Sequence, residues 1–107
     1  MKVKNRVKRY DEFQKVINYG EQLRSKSLVM YFLKNNLNYA RVGISIPKKS
    51  GTAVLRNKIK RQIRAILYTE LNLDISYDLI FISRKEFDTN NFSQTKSDIQ
   101  NLLAKVG

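Results

Sequence analysis

The side chains best suited to chemistry in this sequence are cations and one amide on a helix predicted over residues 53–71. At about 100° per residue, one arc of that helix collects Arg56, Asn57, Lys60, Arg61 and Arg64, with Lys58 to the side. Guanidinium groups bind phosphate oxygens in pairs, ammonium groups act as point charges, and an asparagine can contact a sugar or a base edge. This arc therefore predicts the binding of an anionic chain.

The opposite arc of the same helix is apolar, and its members are Leu55, Ile59, Ile63, Ile66 and Leu67. The helix should therefore bury one side on a sheet and leave a cationic side about 12 Å long. Like charges four residues apart destabilise an isolated helix, and residues 48–64 contain no acid that would relieve them. A bound polyanion explains this pattern better than a solvated helix face does.

The formal net charge of +12 is concentrated in two segments. Residues 1–10 contain five cations and no acid, and residues 48–64 contain seven cations and no acid, which together equal the whole net charge. The other nine lysines and arginines are balanced by nine carboxylates. Such segregation indicates a nucleic acid, a membrane surface or an acidic protein as the partner.

The sequence contains no histidine and no cysteine. It therefore lacks the commonest general base, the commonest zinc ligand and any histidine-dependent nucleophile, so we expect no catalytic residue and no metal site in this chain. Asp74 and Asp78 are the nearest candidates for a metal pair, but they flank a predicted turn and are better explained as capping it. There is no signal-peptide pattern and no apolar run near the ~20 residues that span a bilayer, so we expect a cytoplasmic protein without a membrane partner.

The apolar pattern predicts a single domain over residues 1–107, an α/β two-layer sandwich in which helices pack on one mixed sheet. The predicted elements are an extended basic arm over residues 1–9, helices over 11–19, 53–71 and 93–106, and strands over 28–33, 40–46 and 77–82. The first two strands should form an antiparallel hairpin, and the third should be central because it is apolar on both faces. Gly20 is expected to end the first helix in the left-handed conformation, and Thr52 to cap the second.

Residues 48–64, with the sequence KKSGTAVLRNKIKRQIR, resemble the signature of the bacterial ribonuclease P protein family. That signature runs Lys-Lys, Gly, Ala-Val, Arg-Asn-Arg, Lys-Arg and Arg, and it is followed here without a gap. Residues 10–20 resemble the family's first helix with its Phe-Gln-x-Val core, and residues 41–45 resemble the strand before the signature. The resemblance covers nearly the whole chain.

The resemblance implies an element order α-β-β-β-α-β-α with a left-handed crossover around the signature helix, and therefore a further short strand near residues 23–26. It also implies a function. The family's protein binds a catalytic RNA that removes the 5′ leader of precursor tRNA by magnesium-dependent hydrolysis. The chain would then be the protein subunit of an endoribonuclease, with ribonuclease P RNA and precursor tRNA as partners, Mg²⁺ used by the RNA, and no small-molecule substrate.

Two sites follow from the resemblance by position. The RNA-contacting surface corresponds to Lys48, Lys49, Arg56, Asn57, Lys58, Lys60, Arg61 and Arg64. A cleft that binds the leader, between the first helix and the sheet, corresponds to Phe13, Ile17 and Tyr31, where rings could stack on unpaired bases. Lys58 departs from the second arginine of the family triplet and loses its bidentate fork. Ile17 stands where an aromatic residue is common, and for Phe13 and Ile17 the helical pattern alone favours core packing.

Three other functions compete with this reading. A DNA-binding regulator would use the basic helix in a major groove, but it would need a small tri-helical unit and base-reading residues at the start of the helix. A structural or ribosomal RNA-binding protein without a processing role could have the same size and charge. A protein nuclease that acts without RNA ranks last, because the carboxylates of this sequence are scattered along the chain and it contains no histidine.

Overall fold

The computed structural model describes residues 2–106, and Met1 and Gly107, the two ends of the predicted domain, lie outside the described residues. The helices are α1 (Tyr10–Tyr19), α2 (Ala53–Glu70) and α3 (Phe92–Leu103), and the strands are β1 (Glu21–Arg24), β2 (Leu28–Lys34), β3 (Arg41–Ser45) and β4 (Tyr77–Ser83). Two short 3-10 turns lie at Val3–Asn5 and Lys48–Ser50. This is the order α-β-β-β-α-β-α, including the short first strand that only the resemblance implied.

The four strands form one mixed sheet in the order β1-β2-β4-β3. β2 is antiparallel to both β1 and β4, whereas β3 runs parallel to β4. The predicted central position of β4 is confirmed. The predicted hairpin between β2 and β3 is wrong, because β4 lies between these two strands and the hairpin is formed by β1 and β2 instead.

The segment that connects β2 to β3 explains the wrong pairing. It must cross the space of one strand, about 10 Å wide, and residues 35–40 are long enough to do so. The amide of Asn35 donates to the carbonyl of Ser76, and the amide of Ala40 donates to the carbonyl of Leu73, both at 2.9 Å. The connection is thus held by the segment that leads into β4, and the chain reverses direction as predicted without pairing the two strands.

The two faces of the sheet belong to two separate cores. On one face α2 and α3 cover a cluster that includes Leu28, Met30, Leu79 and Phe81. On the other face α1 and the N-terminal arm cover Ile80, which packs with buried residues Val16 and Val7. The predicted packing of helices on one mixed sheet is confirmed, and the helices cover both faces of that sheet. α3 ends at Leu103, earlier than predicted, and Val106 packs against the core beyond it.

α1 differs from the sequence prediction at both ends. It begins at Tyr10, one residue before the predicted start, and Tyr10 is 78% exposed, whereas Val16 is 1% exposed. Gly20 has extended backbone, with φ −84° and ψ 171°, so the predicted left-handed conformation is wrong. A Cβ atom on Gly20 would lie 2.5 Å from the Val16 carbonyl oxygen and 2.6 Å from that of Phe32. The glycine is therefore required by the close approach of the backbone.

Arg41, at the start of β3, ties α1 to the sheet. Its Nε and Nη2 atoms donate to the Asp78 carboxylate at 2.9 and 2.6 Å, and its Nη1 atom donates to Glu12 of α1 at 2.6 Å. Asp78 also accepts a hydrogen bond from Asn35 at 2.9 Å. Hydrogen bonding to Asp78, and secondarily to Glu12, raises the pKa of Arg41 above its ordinary value. The buried Asp78 carboxylate is thus paired and hydrogen-bonded, as a buried charge must be, and the contact fixes α1 over the sheet.

The N-terminal arm lies against the edge of β3. Asn5 is buried, and its Nδ2 atom donates to the carbonyl oxygen of Ala40 at 2.7 Å. Arg6 forms a parallel bridge with Val42, and the amide of Val7 donates to the Val42 carbonyl at 2.9 Å. The prediction of an extended arm is corrected at Val3–Asn5, which form a 3-10 turn because the buried Asn5 pins the chain to the sheet.

Candidate nucleic-acid interface

The start of α2 is fixed by two residues. Gly51 has a φ angle of 140°, a backbone conformation that residues with a Cβ atom rarely adopt. Thr52 follows, and its Oγ1 atom accepts a hydrogen bond from the amide of Leu55 at 3.2 Å, which confirms the predicted cap. The 3-10 turn Lys48–Ser50 packs against this end of the helix, so the exposed side chains of Lys48 and Lys49 lie beside the first turn of α2.

α2 packs on the sheet through the side that its periodicity predicts. Ile59, Ile63, Ile66 and Leu67 are buried, and Leu55 is half-buried. One flank of the helix is closed, because the Nε2 atom of Gln62 donates to the carbonyl oxygen of Thr89 at 2.9 Å, in the loop before α3. The other flank is open and carries the cations.

The predicted RNA-binding side chains of α2 lie on its open flank and on its solvent side. Asn57, Lys58, Arg61 and Arg64 are exposed, whereas Arg56 and Lys60 are half-buried nearer to the sheet. With Lys48 and Lys49 in the adjoining turn, the structure brings all eight predicted residues onto one continuous segment. The buried stripe orients this segment, so its cations project away from the apolar core.

The charges of this segment are not compensated within residues 2–106. None of its cations lies within 4.0 Å of a carboxylate oxygen in that part of the chain, whereas Arg9, Arg41 and Arg84 each do. The Nε atom of Arg56 is buried and has no hydrogen-bond partner among the described residues. An external anion would reduce the repulsion among the cations.

A groove of about 460 Å³ runs along the edge of β3 between the N-terminal arm and α2, and is hereafter the β3-edge groove. Its lining residues are Arg6, Val7, Lys8, Phe13, Val42, Gly43, Ile44, Lys60, Arg64 and Tyr68. A smaller recess of about 200 Å³, which includes Arg56 and Asn57, shares Ile44 and Lys60 with it. The half-buried cations of α2 thus face a continuous depression with basic residues on both walls.

The predicted leader cleft is partly assembled on the α1 face of the sheet. The ring of Phe13 lies directly on Gly43: a Cβ atom there would be 2.5 Å from Phe13 Cζ and 2.7 Å from Ile80 Cδ1. Phe13 and Tyr31 both pack, half-buried, against the cluster that contains Ile80. Ile17 is also half-buried but does not belong to that cluster. The structure therefore places Phe13 and Tyr31 against the same cluster, whereas Ile17, one turn after Phe13 on α1, lies outside that cluster.

The two predicted sites adjoin each other, because Phe13 lines the same groove as Lys60 and Arg64. Sequence reasoning missed Arg6 and Lys8 as the second wall of this groove, since it treated the arm as a separate extended segment. It also missed Tyr68, although that residue lies four positions after Arg64 and so continues the same helical row. A glycine inside a strand signals close approach of another group, and Gly43 could have been found in this way.

The carboxylates considered as a metal pair are placed differently from each other. Asp78 lies in β4 and is engaged by Arg41 and Asn35, so it does not cap a turn. Asp74 is exposed, and its amide donates to the side chain of Asn72 at 2.9 Å.

None of the helices within residues 2–106 combines the length and the apolar character that crossing a bilayer requires.

Comparison with known proteins gives a consistent result. A family model described as "Ribonuclease P" matches residues 1–107. The ribonuclease P protein component of Mesoplasma florum is 39% identical over 107 residues, which cover 98% of this chain and 97% of that protein. The corresponding protein of Bacillus pumilus is 40% identical, over 98% of this chain and 90% of that protein.

Solved structures extend the similarity to the fold. The RNase P protein from Thermotoga maritima superposes with a TM-score of 0.84 at 28% identity, over 95% of this chain and 97% of that one. The RNase P protein from Staphylococcus aureus superposes with a TM-score of 0.79 at 32% identity, over 95% and 96% of the two chains. Sequence and fold are therefore similar over nearly the full length.

Proposed function

Because the chain belongs to the ribonuclease P protein family, we propose that it is the protein component of that ribonucleoprotein and binds its catalytic RNA through the open flank of α2. The observation that carries this proposal is a helix with one side buried on the sheet and the other presenting uncompensated cations. Arg56, Lys60 and Arg64 recur every four residues along that flank, so successive phosphates of one RNA strand can meet successive side chains.

The proposal divides the work between protein and RNA. The catalytic RNA would hold the Mg²⁺ ions and cleave the phosphodiester bond, and this chain would supply positive charge and orientation. Two polyanions, the catalytic RNA and precursor tRNA, repel each other. A protein with a net charge of +12 placed between them weakens that repulsion. Binding of the substrate should then require less magnesium, and both partners would meet in the cytoplasm.

The α1 face of the sheet would receive the 5′ leader of precursor tRNA. The half-buried rings of Phe13 and Tyr31 offer flat apolar surfaces to unpaired bases, and stacking of this kind tolerates any sequence. Phe13 also borders the β3-edge groove, where Arg6, Lys8 and Lys60 could bind the leader phosphates. A leader would thus be held by stacking on one side and by charge on the other.

A structural or ribosomal RNA-binding role is the alternative, and a competition experiment separates the two. At one ionic strength, the affinity of the protein for ribonuclease P RNA is expected to exceed its affinity for a ribosomal RNA fragment of equal length by well over tenfold. Non-specific phosphate binding depends on charge and salt, whereas specific recognition needs matched contacts. Filter binding with each RNA as competitor measures the ratio. Equal affinities for the two RNAs would favour the alternative.

A further inference from the structure

Tyr68 is a large aromatic residue exposed on the most basic helix of the described chain. It is 74% exposed, and it stands four residues after Arg64, so the row Arg56, Lys60, Arg64, Tyr68 runs along one flank of α2 for about 18 Å. A single exposed aromatic residue is ordinary in a protein surface. This one differs because it stands where two grooves meet.

The second groove, of about 790 Å³, begins where the β3-edge groove ends, and Tyr68 lines both. Around Tyr68 it presents Lys2, Lys4, Asn38, Tyr39 and Asp74. The Nζ atom of Lys4 lies 4.6 Å from the centre of the Tyr39 ring, which is the geometry of a cation–π contact. The anchored side chain of Asn5 fixes the turn that carries Lys4. The fold therefore holds Lys4 at this groove.

The charges on either side of Tyr68 favour a nucleic-acid strand over a protein segment. Arg6, Lys8, Lys60 and Arg64 lie on one side of the ring in the β3-edge groove, and Lys2 and Lys4 lie on the other. An anionic chain that followed the flank of α2 would pass from the first set to the second across the ring. Between two phosphates a nucleic acid carries a base, and a base has a flat face that can stack on tyrosine.

We propose that Tyr68 stacks on an unpaired base of a single RNA strand, and that Lys2 and Lys4 bind the phosphates beyond that base. This rests on the proposed function of α2 as an RNA-binding helix and extends it to a defined ligand chemistry. The exposed side chains of Asn38 and Asp74 line the same groove as Tyr68, and they could hydrogen-bond to base or ribose groups. The strand is single because neighbouring base pairs cover both faces of a base inside a duplex, whereas an unpaired, unstacked base has a free face for the ring.

The test measures the affinity of three variants, Tyr68→Ala, Tyr68→Phe and a control. Each variant is tested with a labelled single-stranded oligoadenylate and with a duplex RNA of the same charge. Tyr19→Ala is the matched control, since Tyr19 is 78% exposed at the end of α1 and lines neither groove. Tyr68→Ala is expected to weaken single-strand binding about tenfold, whereas Tyr68→Phe keeps the ring and the affinity. Neither the duplex affinity nor the control should change.

A salt titration separates stacking from charge. Tyr68→Ala should leave the slope of log affinity against log salt unchanged, while Lys4→Ala should lower it by about 0.7. If Tyr68→Ala leaves single-strand binding unchanged, or weakens duplex binding equally, the stacking role is wrong although the RNA-binding function of α2 stands. If the unmodified protein binds ribonuclease P RNA but not oligoadenylate, only the stacking role is wrong. If it binds neither of these two RNAs nor ribonuclease P RNA, the proposed function itself fails.

Discussion

Replacing Arg56, Lys60 and Arg64 together by glutamine is expected to weaken binding to ribonuclease P RNA about a hundredfold at physiological salt. Each phosphate contact releases condensed counterions, so losing three should lower the slope of log affinity against log salt by about 2–3. The structure favours a large effect because these cations have no carboxylate partner within residues 2–106 and line the β3-edge groove and its adjoining recess. A salt series of binding isotherms measures both quantities.

The control for this variant removes the same charge elsewhere. Arg24, Lys26 and Lys105 are exposed and do not line the β3-edge groove or its recess, so their replacement by glutamine should leave most of the slope intact. Loss of folding should not confuse the result. Removing like charges four residues apart relieves repulsion within α2. The midpoint temperature of thermal unfolding should therefore be unchanged or slightly higher. Equal slopes for the two triple variants would mean that α2 is not the RNA-binding surface.

The second large effect concerns the leader. Tyr31→Ala is expected to weaken binding of the reconstituted ribonucleoprotein to precursor tRNA about tenfold, and to leave binding of mature tRNA unchanged. The reason is that Tyr31 lies with Phe13 on the α1 face of the sheet, where only the unpaired leader would reach it. The ratio of the two dissociation constants is the quantity to measure, because it cancels any common loss of folded protein.

Two further variants make the leader test specific for the ring. Tyr31→Phe keeps an aromatic surface and should behave as the unmodified protein. Leu33→Ala removes an apolar side chain that packs against the same cluster but has no ring, so it should lower stability without changing the ratio. If Leu33→Ala and Tyr31→Ala change the ratio equally, Tyr31 has a folding role and the leader does not stack there.

Local patterns predicted α2 almost completely. Its bounds, its buried side and its cap at Thr52 follow from residues within one or two turns of each other, and the structure confirms them. The central place of β4 was also predictable, because a strand that is apolar on both faces must be covered on both. These features depend on the chain near each residue and little else.

The features that were mispredicted depend on contacts between distant segments. The predicted pairing of β2 with β3 was wrong because a turn shows only that the chain reverses. It does not show which strand lies between the two strands that the turn connects. The predicted conformation of Gly20 was wrong because the glycine is required by steric contact with the carbonyl groups of Val16 and Phe32. Only the folded chain brings these groups close to Gly20.

The composition of the candidate site shows the same limit. The row of cations on α2 could be found by counting along one helix. The opposite wall could not, because Arg6 and Lys8 reach the groove only through the pairing of the arm with Val42. The position of Phe13 on Gly43 likewise joins a helix to a strand that is distant in sequence.

The most direct test of the central claim is cleavage of precursor tRNA at low magnesium, measured under single-turnover conditions with the matching ribonuclease P RNA. RNA alone should cleave slowly, the protein alone should not cleave, and the two together should cleave rapidly at the mature 5′ end. Cleavage by the protein without RNA, or a rate for the RNA that the protein does not change, would contradict the account.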